Sequence, residues 1–148
     1  MNRHETLQAY AAVFSEFSPR ALERLDGLCR DDIAFRDPFH ETRGLGAMRT
    51  IFASMFSLFD APAYTVHDIA LGERHGFVFW TFDDGARHGR PMRFDGTSTL
   101  GFDGEGRVAS HADHWDAAGA IHARLPLLGP AIRMVNARIA AKVQAQGN

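Results

Sequence analysis

The strongest constraint on the fold is the point at which the chain changes its hydrophobic period. In roughly the first 60 residues, apolar side chains recur mainly at helical spacing; from Ala63 to Trp115 the pattern changes to that of strands. Leu7, Tyr10, Phe14 and Phe17 form one helical face. Ser18-Pro19 then gives a start signal, with Ser as N-cap and Pro at the first helical position, for a second helix carrying Leu22, Leu25, Leu28 and Cys29. Ile33, Phe35 and Asp37 alternate as a short strand stopped by Pro38, and FHETRG reads as a loop or short hairpin. Gly44 introduces a third helix with the stripe Leu45, Met48, Ile51, Phe52, Met55, Phe56 and Phe59.

Four strands follow, at 63–71, 76–83, 91–102 and 107–115, and Asp103-Gly104-Glu105-Gly106 is a hairpin turn between the last two. Met92, Phe94, Ser98, Leu100 and Phe102 share one face of the third of these. A short helical segment at 117–124, the break LPLLGP and a final amphipathic helix with Ile132, Val135, Ile139 and Val143 in line complete the chain. Helices gathered before an antiparallel run predict an α+β domain.

At 148 residues the chain suits one such domain, able to bury about two-thirds of its unfolded surface. Twelve Phe, against two Trp and two Tyr, predict a large core, an apolar cavity or a subunit interface, because Phe carries no hydrogen-bonding group. A net charge of −2 argues against nucleic acid as a partner. The single cysteine, Cys29, forms no internal disulfide and reads as core. No apolar run reaches the ~18 residues of a membrane span and the first residues lack a signal-type apolar stretch, so a cytoplasmic location is expected. The final helix has too few cations and no Trp anchor for a membrane-surface role.

The segments QAYAAVF, LCRDDIAFRDPF, RGLGAMRTIF and TSTLGFDGEGRVASHADHWD resemble, in their order and spacing, the nuclear transport factor 2-like superfamily and its SnoaL-like domains, relatives of polyketide cyclases and ketosteroid isomerase. The resemblance covers residues 5–117 and implies a cone: a curved antiparallel sheet wrapped on three N-terminal helices around one apolar pocket. Residues 1–117 would form the cone domain, and 118–148 an extra C-terminal helical extension packed on the domain or on a partner subunit.

The same resemblance proposes site residues. Asp37 matches the proton-shuttling Asp of the isomerases; read from the sequence alone, it equally starts a turn before Pro38. Tyr10 resembles the tyrosine that donates to the developing oxyanion, or is a core aromatic. The partner position of the isomerase oxyanion hole, a protonated Asp, falls on Ser98, and its supporting tyrosine on Phe52, so 3-oxosteroid isomerisation is not expected.

In the last strand, alternation puts His111, Asp113 and Trp115 on one face and His114 and Asp116 on the other. The resemblance turns the His111 face toward the pocket. His111 and Asp113 can then couple as a proton-moving pair, or serve as a polar network that fixes the cone mouth. SnoaL-like cyclases carry an acid/base carboxylate in this region, which transfers to Asp113. Phe35, Phe52, Met55, Ser98 and Trp115 complete the expected pocket. A metal site is not expected, since adjacent strand residues diverge, and no cofactor signature is present.

FVFWTF is apolar on both faces, so either Trp80 and Phe82 or Phe77 and Phe79 point outward, where a second subunit or the C-terminal tail would cover them. A homodimer through the outer sheet face is the expectation. Two functions remain open: cofactor-independent acid/base chemistry (isomerase, cyclase or hydratase type) on a small hydrophobic carbonyl compound, and a non-catalytic ligand-binding or dimerisation module.

Overall fold

The computed structural model describes residues 1–126 and 128–146, the side chains of 123 and 143–146 excepted; the expected Leu127 break residue and the Val143 stripe position lie outside that set. The chain divides into two units, Met1–Trp115 and Asp116–Asn148.

The first unit is the α+β body. Helix α1, Arg3–Ser15, starts at a capping box in which Asn2 accepts from the His4 and Glu5 amides while Glu5 accepts from the Asn2 amide. It buries Leu7, Tyr10, Val13 and Phe14. Ser18 caps α2, Pro19–Glu23, as the Ser-Pro signal predicts. The expected second helix does not run to Cys29: it breaks at Arg24 and resumes as α3, Leu25–Leu28. Gly27 weakens helix there, and Cys29 already turns extended to pair with Val108. Arg30, Asp31 and Asp32 therefore belong to strand β1, Cys29–Arg36.

FHETRG folds as a hairpin, with β2, Glu41–Arg43, antiparallel to β1. Gly44 begins α4, Leu45–Leu58, at φ 105°, a left-handed conformation natural to glycine, and its amide bonds the Ile33 carbonyl. The helix buries Leu45, Met48 and Phe52.

Strands β3, Ala63–Leu71, β4, His75–Asp83, β5, Arg93–Phe102, and β6, Val108–Trp115, complete a six-stranded curved sheet in the order β2-β1-β6-β5-β4-β3. Every pairing is antiparallel except β1 with β6, which run parallel. The core lies between the helices and one sheet face, where Ile33, Phe35, Val78, Trp80, Phe82, Leu100 and Val108 are buried. Of the two choices for FVFWTF, Trp80 and Phe82 point inward, and Phe77 and Phe79 remain 39% and 43% exposed on the other face.

The second unit holds α5, Ala117–Ala120, capped by Asp116, a single 3-10 turn at His122–Arg124, and α6, Leu128–Gln146. Among the described residues, no helix is long and apolar enough to cross a membrane.

Candidate functional site

Strand register assembles the site. On β6, His111 and Asp113 face the helices; His111 lies opposite Leu100 of β5 and Phe35 of β1, and Asp113 lies opposite Ser98. Ser98 in turn lies opposite Val78 of β4, and Gly96 lies between Trp115 and Trp80. Directly opposed side chains on one face are within contact distance, so Ser98 and Asp113 meet by construction. Helix α1 adds Tyr10 from the other layer.

These side chains form one directed hydrogen-bond chain. The Trp80 indole can only donate, and its Nε1–H gives to Ser98 Oγ at 2.9 Å. The Ser98 hydroxyl donates onward to Asp113 Oδ1 at 2.5 Å. The same oxygen accepts from His111 Nε2–H at 2.6 Å. An imidazole that donates at Nε2 to a carboxylate accepts at Nδ1, and there the Tyr10 hydroxyl lies at 2.7 Å. The network thus assigns His111 the Nε2–H tautomer and leaves Asp113 as an acceptor.

His111 and Tyr10 are 2% and 1% exposed. Phe52 stacks on the imidazole at 5.8 Å and 27°, while Phe35 and Phe14 meet it edge-on at 5.2 and 6.0 Å. This apolar jacket pushes the Tyr10 phenol well above its ordinary pKa, chiefly through burial and then through the charges of Cys29 and Asp113. Tyr10 therefore stays a hydrogen-bond donor.

Asp113 uses its two oxygens differently. Oδ1 accepts both bonds, whereas no hydrogen bond from a described residue reaches Oδ2. Oδ2 is not sealed off either, because no fully buried side-chain N or O among the described residues lacks a partner.

Tyr10, Phe14, Phe52, Tyr64, Val78, Trp80, Ser98, His111 and Asp113 enclose a cavity of about 10 Å³. That is roughly the space of one water, far below the several hundred Å³ of a ligand pocket. Aromatic rings fill the remainder. From Tyr64 and Trp80 a continuous run passes through Phe82 and Phe94 to Trp115, which stacks on Phe94 at 4.4 Å and meets Phe39 at 5.5 Å. Trp80 lies against the bare Cα of Gly96, where a Cβ would collide with its ring.

The expected site residues separate accordingly. Tyr10, His111, Asp113, Ser98 and Phe52 converge on the cavity, and Phe35 packs against His111. Met55 does not line the cavity but packs against the core, its sulfur 3.6 Å from the Tyr64 hydroxyl, and Trp115 belongs to the outer aromatic run. Asp37 does not line the cavity. The strand ends at Arg36, and Asp37 begins the turn that follows. Its Oδ1 accepts from the Phe39 and His40 amides at 2.7 Å, and the His40 ring lies 2.9 Å from Oδ2. The turn reading, open in the sequence, describes this geometry.

Four lining residues, Phe14, Tyr64, Val78 and Trp80, were not expected to belong to the site, and of these Tyr64 and Trp80 bring polar groups. The Tyr64 phenol is also pushed well above its ordinary pKa, by burial first and then by the charges of Asp113 and Asp37. On the outer sheet face, Thr81 bonds both His67 Nε2 and Asp95, and a surface groove of about 640 Å³ is lined by Arg36, Arg43, His75, Ser110 and His114, among others. Among the described residues, no group of three or more His, Cys, Asp or Glu is placed to hold a metal ion.

The sequence profile of the SnoaL-like domain family matches residues 7–111. No curated protein matches the chain. Among solved structures, an NTF2-like protein of unknown function from Burkholderia pseudomallei superimposes with a TM-score of 0.66 at 17% identity, over 82% of this chain and 96% of its own. A candidate SnoaL-like polyketide cyclase from Jannaschia sp. CCS1 gives 0.65 at 9% identity, over 78% and 88%. AclR from Streptomyces galilaeus, described as a candidate hydroxylase, gives 0.64 at 15% identity, over 99% and 96%. At these identities the likeness is one of fold.

Proposed function

The chain belongs to the SnoaL-like domain family, and we propose that within it Asp113 is the acid/base group of a cofactor-independent proton transfer on a small hydrophobic carbonyl compound. The observation that carries this reading is the asymmetry of the Asp113 carboxylate. One oxygen is fixed by His111 and Ser98, and the other, on a residue that lines the cavity, accepts no hydrogen bond from a described residue and is not fully buried. A carboxylate held in this way keeps its orientation without an induced change, as proton transfer requires.

In the proposed step, Oδ2 takes a proton from the carbon next to the ligand carbonyl. The electron pair of that C–H bond moves onto the carbonyl oxygen as an enolate. Return of the proton to a different atom completes an isomerisation; alternatively, attack of the enolate carbon on a second carbonyl closes a ring, and Asp113 returns its proton to the alkoxide oxygen formed there. The His111 and Ser98 donors hold Oδ1 throughout, and Tyr10 fixes the imidazole from its far side. In this scheme Tyr10 is a positioning residue, and Asp37 shapes the β1–β2 turn.

Because the enclosed space is about 10 Å³, a ligand enters only by displacing the aromatic rings that fill it. The test is a thermal-shift panel of planar ketones, phenols and polyketide-like compounds. Stabilisation by some members supports the pocket; a folded protein that none of them stabilises contradicts it.

A second reading, a non-catalytic module that dimerises through the outer sheet face, is favoured by the filled cavity and by Phe77 and Phe79, exposed side by side with the polar groove. Sedimentation of the intact chain and of Phe79→Lys separates it: a dimer converted to monomer supports the interface, and a monomeric intact chain excludes it.

A further inference from the structure

Resting on the proposed proton transfer, the geometry points to Tyr64, not Tyr10, as the group that anchors the ligand's oxygen, and so to a ligand that presents a carbonyl-type acceptor to Tyr64 and an acidic hydrogen to Asp113.

The argument is one of hydrogen-bonding commitments. Trp80, Ser98, His111 and Tyr10 are each engaged by a strong partner at 2.5–2.9 Å. The Tyr10 O–H can turn to a ligand only by abandoning His111 Nδ1, which would leave a buried imidazole nitrogen without a donor and lose the bond that fixes its tautomer. Tyr64 has no such tie. Its only hydrogen-bond partner among the described residues is the Met55 thioether, at 3.6 Å, and a thioether is a weak acceptor. Its ring is held in place by Phe14, Phe17, Trp80 and Phe82, at 5.0–5.6 Å. The hydroxyl is therefore positioned but poorly satisfied, the state of a donor awaiting a better acceptor.

Two residues that line the cavity thus carry under-engaged groups: one donor, Tyr64 Oη–H, and one acceptor, Asp113 Oδ2. Together they match a carbonyl flanked by an acidic C–H. The raised phenol keeps Tyr64 protonated, so a hydrogen bond to the oxygen strengthens as enolate charge develops there. The ligand class is a small, largely apolar ketone or enone with its oxygen at one end. A neutral ligand is favoured over a carboxylate or phosphate, since Asp113 and Asp37 both act on this phenol as negative charges.

The probe is acetophenone, with α-methylstyrene as the isostere in which CH₂ replaces the oxygen. Binding is measured by titration and the carbonyl by its infrared band. The intact protein should bind acetophenone about tenfold more tightly than α-methylstyrene and move the carbonyl band to lower wavenumber, the preference expected of one net hydrogen bond. Tyr64→Phe should bind the two compounds equally and lose the band shift. Tyr10→Phe, if folded, should keep the shift. A shift that survives in Tyr64→Phe and vanishes in Tyr10→Phe overturns the assignment and leaves the proton-transfer reading standing. Binding of both compounds without any band shift also overturns it. Failure of the intact protein to bind either compound removes the pocket, and the assignment with it.

Discussion

The Tyr10 hydroxyl lies 2.7 Å from His111 Nδ1, joining the first helix to the last strand across 101 residues of sequence. The bond is buried on both sides, so its removal leaves a desolvated nitrogen. Tyr10→Phe should lower stability by about 1–3 kcal/mol in urea unfolding. A change within about 0.3 kcal/mol would show that the imidazole is satisfied without it.

Ser98 occupies the centre of the chain from Trp80 to Asp113. Ser98→Ala removes an acceptor from the indole and a donor from the carboxylate in one step, at a cost of about 1–3 kcal/mol. The indole N–H proton resonance reads the local effect. It should move in Ser98→Ala and stay in place in Ser15→Ala, whose hydroxyl only bonds the Ala11 carbonyl of its own helix. An unmoved resonance in Ser98→Ala would contradict the chain.

Burial, with a smaller contribution from Asp26, pushes the Cys29 thiol from 9.0 up to about 12. A thiol held protonated in the folded state loses its proton first when the chain unfolds. Its stabilisation is complete below pH 9 and is lost as pH rises toward 12, by up to about 1.4 kcal/mol per pH unit. Tyr10 and Tyr64, raised from 10.0, add the same sign at higher pH. Unfolding free energy should therefore fall between pH 9 and 10 in the intact chain and stay flatter over that interval in Cys29→Ala. Parallel slopes for the two proteins would contradict this.

Strand alternation made half of the site legible. It put His111 and Asp113 on one face of the last strand, and Ser98 with Leu100 on one face of its neighbour, and the register then brought Ser98 to Asp113. It could not fix the direction of Asp37, which follows the last residue of the strand, Arg36. Tyr64 escaped notice for a related reason: the register of β3 shifts between Val66 and Asp68, and its start offered no sign of which face was inward. FVFWTF is apolar on both faces, so Trp80 could be turned inward only by tertiary packing. The excess of Phe allowed a core, a cavity or an interface; the packed rings around His111 resolve much of it into core.

The Asp37 carboxylate accepts two backbone amides of the turn that it begins. Asp37→Ala should cost about 1 kcal/mol of stability, as loss of a capping side chain does. The same variant should retain most of any proton-transfer activity, because Asp37 is not on the cavity wall. A hundredfold loss in a stably folded Asp37→Ala would return the base to Asp37.

The most direct test of Asp113 as the acid/base group is deuterium exchange into the methyl group of acetophenone in D₂O, followed by proton NMR. The intact protein should accelerate exchange over buffer, and Asp113→Asn should lose about a hundredfold or more of that acceleration while still binding the ketone. Equal acceleration by the two proteins, or none by an intact protein that binds acetophenone, would contradict the assignment.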